Sequence, residues 1–322
     1  MPTFSFHTHT GESHQHLSFR PMPPSPALLS CPDKNQQRLE SAVFRALSGI
    51  DERSAHPLHV GRIRLVDGDA PIVFLDGDAE GRSVCAQFLE TVLPTIDSDG
   101  YVEDSPGIRI RGARGRDLHL GFAQTDALLI IRGVGDIDWA ADLKAHQRNV
   151  DQWGTTTLSR RPTLTAEERE FLEGRSDDPL VALESKLLRR IGVFTRFSAA
   201  HCTYTYSNSN TLKVWLELNH KVPGSHDLLV AALTDPQWGL GMLVQDQWCT
   251  CYRPGRDSCS VTLVTPSGDA SLVLMLNYCE SRLSPEDFAS VGADDRWISR
   301  VFPPSASLEP WSERRILERP GR

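Results

Sequence analysis

Ile72-Val73-Phe74-Leu75 is an uninterrupted apolar run, the pattern of a strand buried on both faces. Its continuation constrains the fold more than any other stretch. Asp76-Gly77-Asp78 stops the run with turn-forming residues, and Asp78 is placed to cap a helix. In that helix Val84, Phe88 and Val92 share one stripe, and Pro94 ends it. A central strand that feeds directly into an amphipathic helix requires a mixed fold, with a sheet on one side and helices packed against it.

The surrounding sequence builds that fold twice. A helix is expected over Leu39, Val43, Phe44 and Leu47, with Gly49 near its end. Ile63 and Leu65 alternate with Arg62 and Arg64 before Asp67-Gly68, a hairpin signal leading into the apolar run. A second hairpin is expected from Ile108 and Ile110 on one arm and Leu118, Leu120 and Phe122 on the other. The wholly apolar stretch 127–131 is a central strand. It is followed by a helix in which Asp136 caps and Trp139 is buried. Thr165-x-x-Glu168 forms a capping box and Gly174 stops its helix. Asp178-Pro179 starts the next helix, with Leu180, Leu183, Leu187 and Ile191 on one stripe, Arg189 and Arg190 near its C-terminus and Gly192 as its close. Strands return with Leu212, Val214, Leu216 and Leu218 alternating, and continue through three further apolar stretches. Ser284-Pro285 starts a last helix, to about Val291.

The fold class expected is α+β: two meander-like mixed sheets with packed helices. The order of events is the same in both halves, and Arg116-Asp117 before Ala127-Leu128 parallels Arg256-Asp257 before Ala270-Ser271. A distant duplication is one reading of that echo. At 322 residues the chain divides into a tail (1–36), an N-terminal α+β domain (37–150), a polar linker (151–162), a C-terminal α+β domain (163–303) and a second tail (304–322). Residues 1–36 hold His7, His9, His14, His16 and the cluster PMPPSP with little apolar periodicity, and disorder is expected there.

A net charge of −8 argues against a protein that coats nucleic acid or an anionic membrane. No apolar run approaches the length of a transmembrane helix, and the first residues lack a secretory pattern. Seven scattered cysteines do not make a disulfide framework, so a reducing, cytoplasmic setting is expected.

Three constellations carry candidate chemistry. Asp76 and Asp78 follow one apolar strand, and Asp136 and Asp138 follow another. If the strands are neighbours, four carboxylates meet where hard cations such as magnesium or manganese bind. DGDxxG resembles the acidic loop of TOPRIM nucleotidyl-transfer domains, although no upstream glutamate follows an apolar run as that family requires. The string from Arg132-Gly133 to Asp138-Trp139-Ala140-Ala141-Asp142-Leu143 resembles a segment of class 3 lipases, but no G-x-S-x-G elbow occurs. Ser198-Ala199-Ala200-His201-Cys202 is similar to the sequence around the catalytic histidine of trypsin-like proteases. Asp227 and then Ser267 or Ser271 follow in the order that resemblance implies, and GDSGGP is absent. His201 with Cys202 is the weaker hydrolase alternative.

Cys249-x-Cys251, Cys259 and Cys279 form the third set, of the residue type that holds zinc. Core packing competes with that reading, because cysteine is commonly buried. The turn after Arg253 is expected to set Cys259 opposite Cys251. The leading function expected is a non-catalytic module that binds another protein through its sheets; the alternative is a metal-assisted hydrolase or phosphoryl-transfer enzyme. Oligomeric state has no sequence signal.

Overall fold

The computed structural model describes residues 6, 9–13, 25–50, 56–76, 82–174, 178–197, 202–218, 225–249 and 258–278. The first half runs α1 (Lys34–Ser48), β1 (Val60–Arg64), β2 (Ile72–Leu75), α2 (Arg82–Val92), the short β3 (Thr95–Ile96) and β4 (Val102–Glu103), then β5 (Ile108–Arg114), β6 (Asp117–Phe122), β7 (Leu128–Gly133) and α3 (Trp139–Gln152). The second runs β8 (Thr156–Thr157), α4 (Ala166–Glu173), α5 (Pro179–Leu188), α6 (Ile191–Phe197), β9 (Cys202–Asn208), β10 (Thr211–Leu218), α7 (Ser225–Thr234), β11 (Leu243–Cys249), β12 (Ser258–Val264) and β13 (Ser271–Tyr278). The architecture is α+β.

Two five-stranded sheets share one topology. The first is ordered β1, β2, β7, β6, β5; the second, β9, β10, β13, β12, β11. In each the inner pair is parallel, β2 with β7 and β10 with β13, and the other neighbours are antiparallel. The irregularities also coincide. Gly61 is an extra residue opposite the Phe74/Leu75 step, as Thr203 is opposite Trp215/Leu216. Arg111 is extra opposite His119/Leu120, as Gln245 is opposite Thr262/Leu263. A bulge shifts every later side chain by one position, so shared bulges mark residue-by-residue equivalence. Phe74 thereby corresponds to Trp215, Arg132 to Met275, Ile110 to Val244 and Gly133 to Leu276.

A buried helix pair, α1 with α5, joins the halves. On α1, Leu39-Glu40-Ser41 is followed by Arg45; on α5, Leu183-Glu184-Ser185 is followed by Arg189. Glu40 accepts from Ser185 Oγ at 2.7 Å and from Arg189 Nε and Nη2 at 2.7 and 2.6 Å. Glu184 accepts reciprocally from Ser41 and from Arg45 Nε at 2.8 Å. Burial works against the Arg189 charge, but Glu40 holds its pKa above the ordinary value. Such pairs fix register, because removing one member strands the other in a dry interior. α1 also packs on β6, β7 and β9, and α6 packs on β1, so the buried residues of both halves form one continuous hydrophobic core.

Local capping follows the sequence in most places. Asp33 caps α1, Thr165 and Glu168 close the capping box of α4, and Asp178 caps α5 ahead of Pro179. α3 is a correction: its N-cap is Asp138, not Asp136, and Trp139 is buried as expected. Gly192 is another. It lies inside α6, where a Cβ would collide with the Thr10 and Gly11 backbone. Within 1–36, Phe6, His9, Thr10, Glu12 and Leu29 are buried, and Phe6 meets Trp238 edge to face. Apolar burial there offsets the chain entropy that argued for disorder. In the stretch 151–162, read as a linker, Leu158 and Ser159 are buried. The helix expected at Ser284-Pro285 lies outside the described residues.

Candidate functional site

The acidic strand ends come first. β2 and β7 lie side by side in parallel register, Leu75 opposite Gly133, and Val134 N donates to Leu75 O at 2.9 Å. The loops carrying Asp76 and Asp136 therefore leave the same end of the sheet. The carboxylates are used differently. Asp76 bonds His56, Asp138 accepts from Ala140 N at 3.0 Å, and Asp136 is exposed. Asp78 lies outside the described residues. Among the described residues no group of three or more His, Cys, Asp or Glu stands close enough to hold a metal ion.

For the hydrolase resemblance, His201 lies outside the described residues, and Cys202 and Asp227 are placed by backbone only, on β9 and α7. Cys202 pairs with Leu216, whereas Ser271 pairs with Thr211, five residues along β10. That puts the two ends roughly 16 Å apart. Ser271 bonds the Thr211 hydroxyl at 2.7 Å, and Ser267 bonds Asp269 at 2.7 Å in an exposed turn. For the cysteines, the residue opposite Cys259 is Cys249, not Cys251. Cys259 is buried on the core face. Cys251 and Cys279 lie outside the described residues.

The outward faces of the two sheets carry the sharpest contrast. Across the first, one cross-strand row holds Arg62, Phe74, Arg132, Asp117 and Arg114. The Arg62 guanidinium lies 4.0 Å from the Phe74 ring centroid and that of Arg132 lies 5.8 Å away, within cation–π range. Arg132 grips Asp117 with two bonds of 2.7 Å and so holds its carboxyl below the usual range. Burial pushes the Arg62 pKa down. The equivalent row of the second sheet holds Tyr204, Trp215, Met275, Ser260 and Trp248. Trp215 and Met275 are half-buried, and Trp248 is 52% exposed. Leu243, on the same edge strand and the same face as Trp248, is 60% exposed, whereas Val244, opposite the buried Leu263, points to the other face. Large apolar residues clustered on one face mark an interaction surface more often than isolated ones do.

Sequence reasoning assigned Leu212, Val214, Leu216 and Leu218 to one face but did not weigh Trp215 on the other. The signal was present: TLKVWLEL and SLVLML carry apolar residues in both alternations, which an exposed outer face does not need. Comparison with protein-family models, with curated proteins and with solved structures returns no match for this chain. Fold and site together define a two-repeat α+β protein with one charged and one apolar sheet face. No described helix is long and apolar enough to cross a membrane.

Proposed function

We propose that the chain is a non-catalytic protein-binding module, and that the outer face of the second sheet takes the partner. One observation carries this reading: where the first sheet places Arg62, Phe74, Arg132 and Arg114, the second places Tyr204, Trp215, Met275 and Trp248 on the same scaffold. Arginine with aromatic is stable against water; Met275 and Trp248 gain by leaving it. The partner is then a polypeptide with an apolar contact surface. Met275→Lys, checked for native circular dichroism, is expected to abolish co-purification of a polypeptide from the native host, whereas Arg132→Met leaves it intact. Equal recovery with both variants contradicts the reading.

A second reading rests on the neighbouring β2 and β7. A metal-assisted hydrolase or phosphoryl-transfer site would draw on Asp76, Asp78, Asp136 and Asp138. Calorimetric binding of magnesium or manganese that Asp136→Asn abolishes supports it; no heat at millimolar metal removes it.

A further inference from the structure

The small sheet of the first half has a part in neither reading. Its order is β4, β3, β8. Ile96 lies opposite Val102 on one side and Thr156 on the other, and both pairings are antiparallel. The turn from β3 to β4 and the passage from α3 into β8 therefore lie at the same end of the sheet. In the first, the Asp97 carboxylate accepts from the Asp99 and Tyr101 N–H groups at 2.9 and 2.8 Å. In the second, Thr155 N donates to Val150 O at 3.3 Å.

Each turn puts one large aromatic residue into water. Tyr101 is 66% exposed and Trp153 is 83% exposed, more than any other large apolar residue described. What the fold uses of both is the backbone: Tyr101 N–H closes the Asp97 turn, and Trp153 N–H caps α3 by donating to the Asn149 and Val150 carbonyls. Any residue with an N–H would serve, so folding does not account for the two rings. The charge around them has one sign. Residues 95–104 and 153–157 hold Asp97, Asp99, Glu103 and Asp104 and neither lysine nor arginine. A guanidinium answers both features, because it lies flat on an aromatic face and donates to carboxylates. An aliphatic ligand would strand the carboxylates away from water, and an acidic one is repelled.

We propose that this end of the small sheet is a docking surface for an arginine-rich segment of another polypeptide, with Tyr101 and Trp153 stacking guanidinium groups and the exposed Asp99 and Glu103 pairing with them. The surface uses no residue of the second sheet, so failure of the Met275 reading would leave it standing. Ion pairs at exposed sites weaken with salt, which sets this contact apart from an apolar one.

The test titrates a fluorescein-labelled oligo-arginine peptide into the full chain at low ionic strength and follows anisotropy. Binding is expected, weaker for oligo-lysine of the same length. Trp153→Ala and Tyr101→Ala keep the net charge, and each is expected to weaken binding about threefold or more. No binding, or an affinity that neither change alters, overturns the proposal, the latter because attraction to an acidic chain alone would then suffice. A photo-reactive group on the peptide gives the location: cross-links to residues 97–104 and 151–157 are expected, and cross-links chiefly elsewhere overturn it. Sedimentation of the chain alone checks the competing occupant. A dimer that Trp153→Ala dissociates would make that occupant a second copy and overturn the assignment.

Discussion

The two sheets share strand order, parallel centre and bulges, and yet differ almost completely on their outward faces. In the first, Arg132 and Asp117 grip one another beside a Phe74 ring stacked by Arg62, and on β5 Ile110 N–H donates to Ser159 O while the Arg109 side chain donates to the Arg161 and Thr163 carbonyls. In the second, the same positions hold Met275, Ser260, Trp215 and Tyr204. The inner faces explain why both fold alike. Ile63, Val73, Leu75, Leu118, Leu120, Leu129 and Ile131 are buried in one, and Leu212, Val214, Leu216, Val261, Leu263, Leu272 and Leu274 in the other. Topology rests on the buried alternation and the helix pair; the outer face was free to take on a different task.

The comparison breaks most visibly at the edge. Arg109 and Leu243 are equivalent, but Arg109 makes two bonds, of 2.9 and 2.7 Å, to the buried Glu168. Arg109→Leu, which imports the second repeat's residue, is expected to cost about 3–5 kcal/mol by leaving that carboxylate uncompensated. The reverse change, Leu243→Arg, stays within about 0.5 kcal/mol at an exposed site. Urea unfolding of the two variants measures the difference; similar losses would mean that the edges are not built differently.

The helix pair sharpens the comparison next. Glu40→Ala strands Arg189, whose side chain is 10% exposed, while Glu184→Ala leaves Arg45, which is 31% exposed, with Asp178 as a partner and free to turn to water. The first is expected to lose about 3–4 kcal/mol and the second about 1 kcal/mol less, read from urea midpoints at constant slope.

Two smaller effects belong to the first half alone. His146 on α3 is buried, neither ring nitrogen has a hydrogen-bond partner, and burial lowers its pKa. The folded state disfavours the charged ring, so stability is present above the unfolded value near 6.5 and lost as pH falls below it. His146→Leu is expected to add about 1 kcal/mol at neutral pH and more at pH 5. A gain that does not grow on acidification contradicts this. Asp104 is pushed up to about 6, chiefly by burial and then by Glu103. Its contribution is present below the unfolded value near 4 and lost as pH rises through about 6. Asp104→Asn, at a left-handed position that asparagine tolerates, is expected to gain under about 1 kcal/mol at pH 7.5, after discounting for exposure, and nothing at pH 4.

Much of this fold was legible in the sequence. Period-two alternation and Asp67-Gly68 placed the hairpins, the apolar β7 fell at the sheet centre, and the caps of α4 and α5 were readable from Thr165 and Asp178. Strand order was not legible, because a parallel pairing such as β2 with β7 leaves no local mark. Nor were the bulges at Arg111 and Gln245, since neither is a turn residue. Asp138 displaced Asp136 as cap because two aspartates two residues apart offer the same chemistry, and packing of Trp139 decides between them. The repeated Leu-Glu-Ser with arginine four positions after the serine was readable, but it takes meaning only once the helices are seen to cross. The apolar outer row was half visible: Trp215 and Met275 stand out singly, and only the cross-strand register aligns them with Trp248.

The most direct measurement compares equivalent positions on the two faces. A photo-reactive residue placed at 275, and separately at 132, is irradiated in the native host. A discrete polypeptide adduct at 275 and none at 132 is the predicted result. Adducts at both positions alike, or at 132 alone, would contradict an account in which the second sheet, and not the first, presents its face to a partner.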